Sequence, residues 1–314
     1  MLTRIAALML LTLGAGALRA GESKPITDLT APGNHESLLA VGTLKRDFWY
    51  HVPVKYSKST ATPLLIVLPY GCGRLSFGDD YSHFMPLSDE HGFIMVTAES
   101  SRECGCWAPY MNCDPKLEPK GSMAGKVKAW ADEAAYFSAV IDEMEKNFNI
   151  DKNRVFICGS SGGGLMTYRL SVLIADRITA AGIACGNFVW RNEYEQTPIP
   201  TPARPVSIIA FHGDADKNVS YGHSANANIT VWSAHESTGF WVKFNGCDAT
   251  PQKSTVPAAQ VHNAKVESET WIAGKGDATV ALYTRIGGGH EFPGYAPPMM
   301  WDFFMKEADR RFPK

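Results

Sequence analysis

Short apolar runs recur along the chain: "PLLIVLP" at 63–69, "FIMVTAE" at 93–99, "RVFICG" at 154–159, "AAGIACG" at 180–186, "VSIIAFHG" at 206–213 and "TVALYTRI" at 279–286. Several are apolar at nearly every position, as strands of a parallel sheet are when both faces are covered. An earlier stretch, "AVGTLKRDFWYHVP" at 40–53, alternates more and predicts an antiparallel edge. Helix-period segments lie between the runs. In 126–148, Val127, Trp130, Ala134, Phe137, Ile141, Met144 and Phe148 recur at mostly three- and four-residue spacing and make one apolar face. "GGLMTYRLSVLIADR" at 163–177 follows the third run directly, and 227–246 and 297–312 also read as helical. Runs and helices in alternation predict an α/β fold built on a doubly wound, mostly parallel sheet with helices on both faces.

The N-terminus breaks this pattern. Arg4 precedes an apolar run from Ile5 to Leu13, and small residues follow from Gly14 to Ala17 and again at Ala20. That layout predicts a signal peptide over residues 1–20, cleaved after Ala17 or Ala20, and hence a secreted or periplasmic protein. The run is shorter than the roughly 20 residues a membrane span needs. No later segment reads as a transmembrane helix. Residues 21–41 are then an N-terminal extension and 42–314 a single domain, since the Pro-rich "TPIPTPARP" at 197–205 is too short to link two. The 314 residues carry a formal charge of -2 and no Lys/Arg block, so neither nucleic acid nor an anionic membrane is indicated. The cysteines are Cys72, Cys104, Cys106, Cys113, Cys158, Cys185 and Cys247. An odd number leaves at least one without a partner in the chain. "CGCWAPYMNC" at 104–113 holds no histidine and matches no common zinc spacing, so a disulfide-tied loop is expected there. Cys158, at the end of an apolar run, reads as a small buried hydrophobe.

The chemistry concentrates in "VFICGSSGGGLMTYRL" at 155–170. Gly159-Ser160-Ser161-Gly162-Gly163 fits G-x-S-x-G with Ser161 at the centre; centring it on Ser160 would need glycine where Cys158 stands. A serine on a sharp strand-to-helix turn has strained backbone angles and needs small neighbours, so that its Oγ projects from the sheet. An apolar run before it and a helical segment after it supply that context. A phosphate loop would want Lys-Ser/Thr where Leu165-Met166 stands, and Thr167 spoils a dinucleotide G-x-G-x-x-G. An elbow serine needs a base and an orienting acid in the order Ser, Asp/Glu, His. "IIAFHGDADKNVSYGHSA" ends one buried run and offers Asp214 and Asp216, which spacing alone does not separate. "RIGGGHEFPG" ends another and places His290 in a glycine loop. His212 stands before the acids, contrary to that order, and is expected to hydrogen-bond within its own loop.

Together, "LPYGCG", "GSSGGGLMT", "FHGDADKNVSY", "FWVKFNGCDATP" and "GGGHEFPG" resemble the secreted polyhydroxybutyrate depolymerase and feruloyl esterase group, α/β-hydrolases of the carbohydrate-esterase type. The resemblance runs from about Gly42 to Gly294 and implies the α/β-hydrolase fold. Its HG-x-x-D-x-x-V-x-Y motif aligns with His212, Gly213, Asp216, Val219 and Tyr221, which implies Asp216 as the acid, and its GGGH motif implies His290 as the base. Tyr70-Gly71-Cys72 matches its HGC motif, implying that the backbone N–H groups of Cys72 and Gly162 share an oxyanion hole. Cys106-Trp107 is similar to its cysteine-tryptophan loop, implying Trp107 at the acyl pocket. Tyr70 replaces the usual histidine and Glu291-Phe292 the usual Thr-Trp, so Tyr70 and Phe292 are expected in a substrate pocket with altered preference. The customary partner of Cys247 is absent from "WIAGKGDATV", which makes Cys247 the expected unpaired cysteine.

These readings predict an exported serine carboxylic-ester hydrolase that needs no metal or organic cofactor. Feruloyl or acetyl esters of plant polysaccharide are the favoured substrates, because little chain follows His290 to form a polymer-binding domain. Polyhydroxyalkanoate depolymerase and serine peptidase are the alternatives. A secreted binding protein with an inactive triad is the rival of another class, disfavoured because Ser161, Asp216 and His290 are all present.

Overall fold

The apolar runs of the sequence pair into the centre of one sheet. The computed structural model describes residues 29–42, 44–71, 84–99, 132–189, 198–225 and 230–313. The expected signal peptide, the Cys104–Cys113 loop, Cys72 and Trp107 lie outside the described residues. In chain order the elements are β1 (Gly33–Val41), β2 (Leu44–Val52), β3 (Thr62–Leu68), α1 (Phe84–His91), β4 (Ile94–Ala98), α2 (Glu133–Asn147), β5 (Ile150–Ser160), α3 (Gly162–Leu173), β6 (Ala180–Ala184) and β7 (Ser207–Gly213). They continue with β8 (Ser224–Ala225), β9 (Thr230–Val231), α4 (Ala234–Asn245), β10 (Gln252–Thr255), β11 (Val266–Trp271), β12 (Val280–Arg285) and α5 (Ala296–Arg311).

Ten strands form the sheet in the order β1-β2-β4-β3-β5-β6-β7-β12-β11-β10, with β8 and β9 paired separately. Neighbours from β4 through β12 are parallel. Both flanks are antiparallel. The doubly wound, mostly parallel sheet expected from the sequence is thus observed, and the edge expected at 40–53 is the β1–β2 hairpin, paired from Gly33↔Val52 to Val41↔Leu44. Residues 33–41, read from the sequence as part of an N-terminal extension, are β1 itself. Because β4 lies on one side of β3 and β5 on the other, the chain changes winding direction there. In such sheets ligands bind beyond the carboxyl ends of the strands at this point.

Side chains alternate across the sheet as a strand's period of two requires. Leu64, Ile66 and Leu68 of β3 join one core with Phe137, Ile141 and Met144 of α2, Met166 and Leu170 of α3, and Trp241 of α4. Leu65 and Val67 face the other core, with Phe84 of α1 and Met300, Trp301 and Phe304 of α5. Each such side chain fully buried contributes about 1.5–3 kcal/mol. The described part of the stripe expected in 126–148 lies along α2, with Phe137, Ile141 and Met144 buried; Val127 and Trp130 lie outside the described residues. Asp132 starts that helix, its carboxylate accepting the Ala135 N–H at 2.9 Å.

Besides β1, helix α1 was not read from the sequence, and α4 and the β10–β11 flank also differ from that reading. The helix expected over 227–246 begins only at Ala234, because Ser233 and Glu236 form a capping box there and the β-branched Thr230-Val231 pair sits in β9. The antiparallel β10–β11 flank was not anticipated at all. Its strands, "QKST" and "VESETW", carry too few apolar residues to register as runs. Cys247 is an unpaired thiol whose Sγ donates to the Ala278 carbonyl.

Candidate active site

The sharp turn after β5 sets Ser161 at the entry of α3 with φ 51° and ψ -120°. Its amide donates to Ala184 O at 2.9 Å, and its carbonyl accepts the Leu165 N–H at 2.9 Å, so the strained residue is anchored from both sides. The flanking glycines are a packing necessity. A Cβ on Gly163 would lie 2.3 Å from the Leu68 carbonyl oxygen, and one on Gly159 would lie 2.6 Å from the Gly163 carbonyl. Strands β3 and β5 and the start of α3 therefore approach as backbone against backbone. Gly163→Ala is accordingly expected to lower unfolding stability by about 1–3 kcal/mol, the usual range for forcing a methyl into a packed site. Denaturant titration checks this, and an unchanged midpoint would contradict it.

Three loops at the carboxyl ends of β5, β7 and β12 converge. His290 Nε2 lies 2.8 Å from Ser161 Oγ, and His290 Nδ1 lies 2.7 Å from Asp216 Oδ2. A carboxylate only accepts, so Nδ1 carries the proton and the Nε2 lone pair faces the serine hydroxyl. Exposure is graded along the array: the Asp216 side chain is 0 % exposed, that of His290 20 %, and Ser161 is half-buried. A buried carboxylate is tolerated only when its acceptor sites are filled. Asp216 meets that demand with N–H groups of Asn218 at 2.8 Å and Val219 at 3.0 Å on Oδ1, besides His290 on Oδ2.

The two acids that spacing left open part company here. Asp214 does not reach His290; its Oδ1 accepts the Gly287 N–H at 2.6 Å and so braces the base of the histidine loop. His212 donates from Nε2 to the Val219 carbonyl at 2.9 Å, within its loop as expected, and stands 3.4 Å from Asp216 Oδ2. Burial holds the His212 imidazole below its ordinary 6.5, the largest influence on it, so it is neutral at pH 7. A histidine kept neutral when folded binds fewer protons than the unfolded chain as pH falls below about 6.5, and stability drops with it. The slope of melting temperature against pH between 7 and 5 is therefore expected to be shallower for His212→Gln than for the parent; parallel slopes would contradict this.

A cleft of about 330 Å³ opens over the serine, lined by Tyr70, Ser160, Ser161, Cys185, His290, Glu291 and Phe292. Tyr70 and Phe292, both expected in a pocket, meet there with Ser161 and His290. Gly162 opens α3 beside the Gly71 backbone, whose carbonyl oxygen would lie 3.0 Å from a Cβ on Gly162. Cys72, the next residue and the implied second oxyanion donor, lies outside the described residues, as does Trp107. Sequence reasoning missed Ser160 and Cys185 as lining residues. Their signal was positional, since each stands at the carboxyl end of a central strand. The Cys185 thiol is pushed up to about 12 by burial, which leaves it protonated beside the serine and no competitor as nucleophile. Among the described residues no group of His, Cys, Asp and Glu side chains could hold a metal ion.

The sheet order and this Ser–His–Asp array at the strand ends define an α/β-hydrolase. The comparisons agree. A family model for phospholipases and carboxylesterases matches residues 94–247. Feruloyl esterase B of Piromyces equi is 31% identical over 80% of this chain and 43% of its own length. Poly(3-hydroxyalkanoate) depolymerase C of Paucimonas lemoignei is 25% identical over 77% of this chain and 58% of its own length. The chain thus spans about half the length of these relatives. The solved acetyl xylan esterase of Aspergillus awamori superposes with a TM-score of 0.58 at 15% identity, covering 86% of this chain and 99% of that one. The chain thus has the α/β-hydrolase fold and is similar to esterases of the carbohydrate-esterase type.

Proposed function

We propose that this protein is a serine carboxylic-ester hydrolase acting through an acyl-enzyme, with feruloyl or acetyl esters borne on polysaccharide as its substrates. The observation that carries the reading is the unbroken hydrogen-bonded line from Ser161 Oγ through His290 to the buried Asp216 carboxylate. In the proposed reaction Ser161 Oγ attacks the ester carbonyl carbon as its proton passes to His290 Nε2. Asp216 holds the imidazole in the tautomer that can take that proton and stabilises the imidazolium that results. The oxyanion is held by the N–H of Gly162 at the positive end of α3, with Cys72 as second donor. His290 returns the proton to the leaving alkoxide, and the bond from acyl carbon to alcohol oxygen breaks. Water, deprotonated by His290, then releases the acid and restores the serine.

The names of the relatives, feruloyl esterase, acetyl xylan esterase and hydroxyalkanoate depolymerase, support an ester substrate and the two sugar-borne acyl groups. Export through a signal peptide over residues 1–20 belongs to the same proposal. Among the described residues no helix is long and apolar enough to cross a membrane. Product analysis on methyl ferulate, acetylated xylan and polyhydroxybutyrate, with a peptide anilide alongside, tests the reading. Release of ferulate or acetate is expected. Cleavage of the anilide alone would replace the esterase reading with a peptidase.

A further inference from the structure

Among the described residues a second cleft is larger than the one over the serine. A cleft of about 530 Å³ lies on the antiparallel flank formed by β10, β11 and β12. Its floor follows from strand register. Lys253 pairs with Glu269, Thr255 with Glu267, and Glu267 with Thr284, so these residues share one face of the sheet. That face is apolar nearer the centre, where Trp271 and Leu282 join the core beneath α4. Beyond the helix it turns polar within a single strand: Trp271 is buried, whereas Glu269 and Glu267, two and four positions earlier, line the cleft. Ile286 is the one aliphatic side chain in the lining.

The polar groups are already arranged. Glu269 is clamped between His235 Nε2 at 2.6 Å and Lys253 Nζ at 2.8 Å. Tyr221 Oη and Thr284 Oγ1 are 2.8 Å apart, as are the hydroxyls of Ser254 and Ser268. Glu267 pairs with Lys265 at 3.5 Å, and Asp214 takes the Gly287 N–H. Glu269 and Glu267 face cationic partners and Asp214 holds a backbone N–H, so the cleft keeps a modest negative character. It offers hydroxyls, carboxylate oxygens and an imidazole in fixed positions beside a tyrosine ring, a lining suited to an uncharged molecule that donates and accepts at many points. A sugar chain is such a molecule.

The cleft also stands close to the chemistry. Asp214 lies two residues from Asp216, and Ile286 four residues from His290. A fully extended chain covers at most about 3.6 Å per residue, so those walls are within roughly 7 and 14 Å of the triad backbone. One polymer can span that gap.

We propose that this cleft is a glycan subsite, holding an uncharged stretch of sugar chain while an ester on the same chain meets Ser161. The proposal rests on the ester-hydrolase reading above and deepens it to polymer-borne substrates. The test has two arms on the full chain. In the first, Ser161→Ala protein is titrated calorimetrically with xylohexaose, cellohexaose and mannohexaose, none of which carries an ester. Saturable binding of at least one is expected, weakened about tenfold or more by adding Glu267→Ala, a change of about 1.4 kcal/mol. Thr255→Arg, which fills the cleft from an exposed strand position, serves if Glu267→Ala does not fold. In the second arm, with Ser161 intact, either substitution is expected to lower kcat/KM on acetylated xylan relative to p-nitrophenyl acetate, through KM. No binding by any of the three glycans, or binding and a substrate ratio indifferent to both substitutions, would overturn the subsite. Failure of the parent to turn over p-nitrophenyl acetate would instead overturn the esterase reading.

Discussion

Ser161→Ala is expected to reduce turnover of p-nitrophenyl acetate by about 10⁴-fold or more while leaving the fold in place. The scale follows from what the hydroxyl does. It is the atom proposed to form the acyl bond, and its loss leaves only binding and oxyanion donors, whose residual catalysis elsewhere is roughly 10³–10⁴ over water. Stability should hold because the Ser161 anchors described above are backbone groups, its amide to Ala184 and its carbonyl from Leu165. Alanine at φ 51° bears the same strain that serine already bears there. Initial rates and a thermal melt on the same sample check both halves. Residual activity within tenfold of the parent would remove Ser161 from the mechanism.

Asp216→Asn is expected to have the second largest effect, a fall in kcat of about 10⁴-fold with little change in KM. An asparagine amide can present its NH₂ to His290 Nδ1, which then must accept. The proton moves to Nε2, and the imidazole turns a donor rather than a lone pair toward the serine hydroxyl. The shape of the site is kept and its direction reversed. Asp214→Asn is the matched comparison, since that carboxylate accepts only a backbone N–H from Gly287 and touches no part of the array. A modest loss is expected there, through a loosened histidine loop. Equal losses in the two variants would mean that the effect is one of loop stability rather than of proton position.

Much of the fold was legible because parallel strands buried on both faces write themselves as continuous apolar runs. Each of the six runs became a strand of the sheet centre. The flank was illegible for the complementary reason. Strand β10 is exposed at every position, and β11 carries glutamates on the face where a covered strand would carry valine or leucine. The cleft that its polar face lines was hidden for the same reason. Ser161 was legible because close backbone packing demands glycines at fixed offsets, which Gly159 and Gly163 meet by contact with the Gly163 and Leu68 carbonyls. Asp214 and Asp216 were not separable by spacing, because both follow β7 within three residues. Only the turn that points the Asp216 carboxylate at His290, with the Asn218 and Val219 amides closing round it, tells them apart. The cleft residue Cys185 escaped a motif reading because convergence of strand ends, not local sequence, brings it to the serine.

Everything in the functional account requires that the Ser161 hydroxyl be a nucleophile activated by His290. Incubation with a fluorophosphonate probe, followed by peptide mass spectrometry, measures that directly. The account predicts one covalent adduct, on the peptide containing Ser161, formed rapidly by the parent and lost in His290→Ala. A folded parent that takes up no probe at Ser161, or that labels equally well without the histidine, would contradict it.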